Sequence, residues 1–246
     1  MKLNYLIILY IFISGCSYLK ANPYPTTKFL PKPELVKEQR NRAPFNGYWV
    51  YDPVGLDNLK VHKRQIFIND INIDNVKKTI SKKNISEIEK IDLIEEAETL
   101  ATYFKQLLIL QFKNKASDKI EIANKKEKTI NIYLALVDVV PTNSSVNVVG
   151  TVAGFFVPGG SLIKKAGNGS IAIEGYIELE DLELLLLEQL KDREIQKSGV
   201  FTVKDYQKYA HIRVIIDDWV GQIIELYLTS YDHQVDDSLI FSIDPL

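Results

Sequence analysis

The sequence predicts an α+β domain: a mixed, mostly antiparallel sheet with two long amphipathic helices packed on one face. Three observations lead there. Apolar residues recur every three or four positions in two long segments, one from Ser86 to about Asn114 and one from Thr202 to about Thr229. Shorter runs rich in β-branched residues lie before and between them. Those strand-like runs follow one another in series, which favours antiparallel neighbours with the helices on one side.

The chain opens on an export-like segment. Lys2 precedes an apolar core, Leu6 to Ile13. A bilayer span needs roughly 20 apolar residues, so this core is too short. It fits the apolar region of a secretory signal, roughly 7–15 residues long. It ends in Ile13-Ser14-Gly15-Cys16, which resembles the bacterial lipobox: aliphatic, small, small, cysteine. That resemblance implies cleavage after residue 15 and acyl chains on Cys16, the only cysteine of the 246 residues. Several acyl chains make a stable anchor where one would not. Ser17, in place of an aspartate, suggests sorting to the outer membrane, with the protein facing the periplasm. The lipid on Cys16 is the only cofactor expected, and no disulfide can form.

Residues 16–46 hold Pro23, Pro25, Pro31, Pro33 and Pro44, five of the chain's nine prolines. That density blocks helix and favours extended chain, so 16–46 reads as a tether and 47–246 as a single folded domain. The second half of the tether could equally lie packed on the domain. The aromatic stretch Gly47 to Asp52 marks the first contact with the body, whose regular structure starts near residue 62. Arg64–Asp74 reads as a strand, followed by a short helix, Asn75–Lys83. Ser86 and Glu89 form a capping box. The helix they open places Ile91, Ile94, Ala97, Ala101, Phe104 and Leu108 on one face, and its apolar run at 107–110 predicts deep burial. Lys119–Ala123 and Lys128–Val140 read as strands, the second covered on both faces. Ser170–Glu180 alternates cleanly: Ile171, Ile173, Ile177 and Leu179 face one way, Glu174, Tyr176, Glu178 and Glu180 the other. Leu184–Glu194 is its return strand, although L-L-L-L-E-Q-L fits a helix as well. Thr202 and Asp205 open the last helix, and Leu239–Ile243 can form an edge strand.

A set of motifs resembles one family. They are L-A-L-V-D-V-V-P-T-N at 134–143, V-N-V-V-G at 146–150, P-G-G at 158–160, G-N-G-S-I-A-I-E-G at 167–175, D-R at 192–193 and Y-A-H-I-R-V-I-I-D-D-W at 209–219. Over roughly 45–230 they are similar to an uncharacterised bacterial lipoprotein family, the domain-of-unknown-function family numbered thirty-three thirteen. The chain departs from it at 181–190, where a glycine is expected. The element order is also similar to the small α/β domain of the TolB N-terminal region and of the curli-secretion lipoprotein. That likeness implies partner binding or ring assembly.

No catalytic constellation stands out. A net charge of −2 and no clustered basic run give no sign of a nucleic-acid partner. The one alternative is a helix face with His211, Asp217 and Asp218, the seat of a small-ligand binder or hydrolase. Asp232, His233, Asp236 and Asp237 match no metal-loop spacing, so no metal site is expected. The glycines at 150–169 lack the lysine that completes a phosphate loop. The oddest stretch is 146–160, apolar and uncharged. It reads as a connection packed over the sheet, as a patch that binds a protein partner through Val148, Val149, Val152, Phe155, Phe156 and Val157, or as a membrane-inserting hairpin. The expectation is a non-enzymatic, lipid-anchored envelope protein that acts as a scaffold or accessory subunit, with envelope proteins or further copies of itself as partners.

Overall fold

The computed structural model describes residues 23–39, 41–54, 57, 64–126, 129–141, 169–180, 184–195 and 209–237. The fold is α+β. Its strands are β1 (Gly47–Val50), β2 (Arg64–Ile68), β3 (Ile120–Ile122), β4 (Ile130–Val140), β5 (Ser170–Glu180) and β6 (Leu184–Ile195). Its helices are α1 (Asp74–Ser81), α2 (Glu87–Lys115) and α3 (Ala210–Leu228). One six-stranded sheet runs in the order β1-β6-β5-β4-β2-β3.

Local chemistry sets these elements. The backbone N–H of Glu89 donates to Ser86 Oγ at 3.2 Å, and the Ser86 N–H donates back to Glu89 Oε2 at 3.0 Å. This reciprocal cap starts α2, and Lys113 and Lys115 sit against the negative end of its dipole. The alternation read in Ser170–Glu180 is one strand with those bounds, and the ambiguous leucine run is strand β6. β4, β5 and β6 pair antiparallel in series, as predicted. β2 does not. It lies between β3 and β4 and pairs parallel with both. The reason is the long α1–α2 connection, which carries the chain back to its starting end and so permits a parallel neighbour. β1, unrecognised as a strand in the sequence, pairs with β6 at the far edge.

One sheet face lies under the helices. Ile66, Ile132, Leu134, Leu136, Ile173 and Leu190 meet Leu100, Phe104, Leu108, Ile216, Trp219 and Ile223 there. Helices α2 and α3 run parallel: the Tyr209 hydroxyl donates to Glu96, the Tyr103 hydroxyl donates to Asp217, and Phe112 meets the Tyr227 ring edge-on at 5.5 Å. Two expectations about α2 need correction. In the run 107–110 only Leu108 is fully buried, and Leu110 is 52% exposed, because α3 and the sheet line one side of the helix only. Ile91, assigned to the core face, is 55% exposed.

The second face carries the larger correction. From Tyr24 onward, the proline-rich stretch read as a tether lies packed across the sheet as a strap. Leu30 and Val36 are buried within it. The Thr27 backbone N–H donates to Glu174 at 2.6 Å, and the Thr27 hydroxyl donates to the other oxygen of the same carboxylate. Lys32 and Gln189 form a reciprocal pair: the Lys32 N–H donates to Gln189 Oε1 at 2.9 Å and the Lys32 carbonyl accepts from Gln189 Nε2 at 3.0 Å. Phe29 packs on Tyr176, whose ring stacks on Tyr133 at 4.5 Å. Glu174, on the face opposite Ile171 and Ile173 as the alternation predicts, is therefore buried under the strap. Proline density reports the loss of a hydrogen-bonded ladder and says nothing about burial. A chain with few N–H groups to satisfy is well suited to lie over a sheet whose own side chains can satisfy the rest.

The strap continues into a bridge with β1, where the Tyr48 N–H donates to the Lys37 carbonyl at 2.8 Å. It then reaches Arg42, which is 1% exposed. The Arg42 guanidinium donates to the carbonyls of Leu226 (2.8 Å), Ser230 (3.0 Å) and His233 (2.6 Å), and lies over the Tyr231 ring. These acceptors are the open carbonyls at and after the C-terminal end of α3, where a cation also suits the dipole. Substituting Arg42→Met, similar in volume but without donors, leaves these buried carbonyls short of partners. The expected loss is about 3 kcal/mol in urea unfolding. Arg42→Lys restores less than half of it, because one ammonium cannot span the acceptors that the fork reaches.

Candidate functional site

β4 and β5 stay paired out to Val140 and Ser170, and β6 ends beside them, with Ile195 opposite Ser170. The segment 142–168 therefore leaves and re-enters the body at this pole of the sheet. The first described residues, from Pro23, lie at the same pole. Tyr24 lies under the Arg193 guanidinium, 5.9 Å from ring centre, and its hydroxyl accepts from Asn75 at 3.4 Å. Arg193 stands 3.7 Å from Asp138. Burial pushes the Asp138 carboxyl above its usual range, although the positive charges of Arg193 and Lys83 pull it down. A β-bulge at Val137 puts Asp138 opposite Ala172 and turns it toward the strap face. Asn75, at the start of α1, donates to the bulge carbonyl of Val137 at 2.6 Å and ties α1 to the same pole.

The strongest polar node lies on the helix face just below. Asp192 is buried and accepts from Trp219 Nε1 at 2.9 Å and from the Asn46 backbone N–H at 2.9 Å. The Asn46 side-chain oxygen accepts from the Arg193 N–H at 2.9 Å. Two motifs quoted separately in the sequence, D-R at 192–193 and the tryptophan that ends the segment 209–219, thus meet in one contact. Their pairing is structural: an indole donor satisfies a buried carboxylate and locks α3 to β6. A narrow crevice nearby, too tight to hold a water, is lined by Tyr24, Glu174, Lys191 and Asp192 among others. Its charged walls are engaged, Glu174 by Thr27, Lys191 by Thr26 and Asp192 by Trp219. It is a packing seam between strap and sheet.

His211, Asp217 and Asp218 are spread along α3. His211 and Asp218 are seven residues apart on α3. That spacing puts them on one side, with their backbones about 10 Å apart along the axis. Asp217 is turned toward α2 and accepts from Tyr103. Near the C-terminal end of α3, His233 Nε2 lies 2.9 Å from Glu225. Among the described residues no group of three or more histidine, cysteine or acidic side chains gathers as a metal would require. Also among them, no helix is long and apolar enough to cross a membrane.

Several expectations fall outside the described residues: Cys16 and the signal, the partner-binding candidates Val148, Val149, Val152, Phe155, Phe156 and Val157, the helix start at Thr202 and Asp205, and the edge strand 239–243. α3 is described from Ala210, with Tyr209 in the turn before it. No family model, no curated protein and no solved structure matches the chain.

Two predictions follow from these contacts. Trp219→Phe keeps most of the ring volume but removes a donor from buried Asp192, and the expected cost is about 2 kcal/mol in chemical denaturation. The second concerns alkaline pH. Burial first, then the hydrogen bond to Asp217, pushes Tyr103 up from 10.0 to about 12. Burial first, then Glu178, does the same for Tyr176. The folded state therefore holds these protons more tightly than the unfolded state. The stability involved is whole below about pH 10 and is lost as pH rises toward about 12. Urea midpoints measured across that window fall, and Tyr103→Phe makes the fall shallower.

Proposed function

We propose that this chain is a lipid-anchored envelope protein of the outer membrane that works without chemistry of its own, as a scaffold or accessory subunit of an envelope assembly. Acyl chains on Cys16 hold it to the membrane, and the apolar segment 146–160 contacts a protein partner. Membership of the uncharacterised lipoprotein family named above belongs to the same reading.

One observation carries the proposal. The strap is folded onto the sheet from Tyr24, beside Arg193, and the segment 142–168 leaves the body between Val140 and Ser170 at that same pole. A lipid anchor reaching this pole would hold the body close to the membrane. It would also set an uncharged, phenylalanine-bearing segment where the partners of a membrane-held assembly are. An uncharged apolar stretch is chemically suited to a protein contact.

The test is chemical crosslinking and pull-down of the intact protein from envelopes. Beside it run a Cys16→Ser form and a form lacking 146–160. The expected result is a defined envelope complex with the intact protein, lost in the deletion and reduced in Cys16→Ser as the protein leaves the membrane. A deletion form that still recovers the complex would remove the segment from the account. A monomer that captures nothing would end the scaffold reading.

A further inference from the structure

We propose that the first two turns of α2, through Ile88 and Ile91, rest on the headgroup layer of the bilayer that carries the lipid anchor. The inference rests on the lipidation of Cys16 proposed above, and adds which surface of the body meets the membrane.

Ile88 and Ile91 sit one turn apart on α2 and are 73% and 55% exposed, an apolar pair on a surface where neither covers the other. They lie beyond the brace between the helices. α3 meets α2 through Tyr209 on Glu96, and α2 begins nine residues earlier at Glu87. At 1.5 Å per residue, about 13 Å of helix precedes that contact.

This end of α2 is beside the point where the anchor chain enters. Tyr24 lies on Arg193 and its hydroxyl accepts from Asn75 of α1, and α1 ends at Ser81, six residues before α2 starts at Glu87. Cys16 is eight residues before Tyr24. Fully extended, eight residues reach roughly 28 Å. Helix α2, with 29 residues, is about 43 Å long. The leash is thus shorter than the body it holds. The membrane must lie near the pole with Tyr24, Lys83 and the start of α2, and the opposite pole cannot be turned to it.

The chemistry of the corner suits a lipid surface. Lys82 and Lys83 stand in the turn before Ser86. Glu87 is paired with Lys90 at 2.7 Å, and Glu89 is held in the capping box. Asp92 and Glu95 remain exposed, so attraction to anionic lipid is not the main term. The contact depends on the isoleucines, which need little affinity of their own because the anchor already holds them at high local concentration.

The test uses the full lipidated chain in vesicles of phosphatidylethanolamine and phosphatidylglycerol. With Cys16 acylated, an introduced cysteine is the sole free thiol. Nitroxide labels go at Ile88→Cys and, as control, at Lys115→Cys on the far end of α2. Collision with oxygen and with a polar nickel complex reads the depth of each label. The label at 88 is expected to be shielded from nickel several-fold relative to the label at 115. Equal aqueous exposure of both labels, in protein that floats with the vesicles, would overturn the inference and leave the anchor standing. Protein that does not float and carries no acyl group by mass spectrometry would overturn the anchor, and the inference with it.

Discussion

The sheet has two faces to cover, and its long helices cover only one. The other face carries a buried carboxylate, Glu174, together with Gln189 and the stacked tyrosines 133 and 176. A carboxylate in that position is costly unless hydrogen-bonded. The Thr27 hydroxyl and backbone N–H meet both of its oxygens. That clamp fixes the strap, and the strap fixes much else. It lays Phe29 on Tyr176, caps the edge of β1 and leads to Arg42, which closes the end of α3. The N-terminal segment is therefore the third layer of the fold.

The same layer links stability to placement. The chain is committed to the sheet from Tyr24, eight residues after Cys16 in the sequence. The entry point beside Arg193 then lies at the pole that carries the segment 142–168 and the start of α2. The edges of the sheet are also guarded. β1 bridges to the strap at Lys37, and β3 is three residues long with Glu121 at its centre. Short, charged or covered edges disfavour strand addition between copies. This directs attention for partner contacts to the loop-bearing pole.

Local signals in the sequence were legible where the physics is local. The capping box at Ser86 and Glu89, the alternation of Ser170–Glu180 and the apolar run of β4 each determine an element through neighbours a few residues away. What was hidden depends on distant partners. Nothing in Arg64–Asp74 says that its strand slips between two others, because that is decided by the length of the α1–α2 crossover. Nothing in a proline-rich stretch reports the Glu174 and Gln189 side chains waiting for it. Asp192 and Trp219 stood out within motifs, but their meeting required β6 and α3 to be placed. His211 and the two aspartates share a helix, and the 1.5 Å rise per residue, with the capture of Asp217 by Tyr103, separates them. Ile91 matched the core periodicity of α2 because the pattern runs past the point where α3 begins.

The central claim is that the strap is part of the folded body from Tyr24 onward. Hydrogen exchange at the Thr27 and Lys32 amides in the native full-length protein tests it most directly. The account predicts protection comparable to the strand amides of β5, and its loss at both positions in Glu174→Ala with Gln189→Ala. Exchange at the rate of an unstructured chain in the unsubstituted protein would contradict it. The proline-rich segment would then be a free tether, and the membrane contact proposed above would lose its constraint.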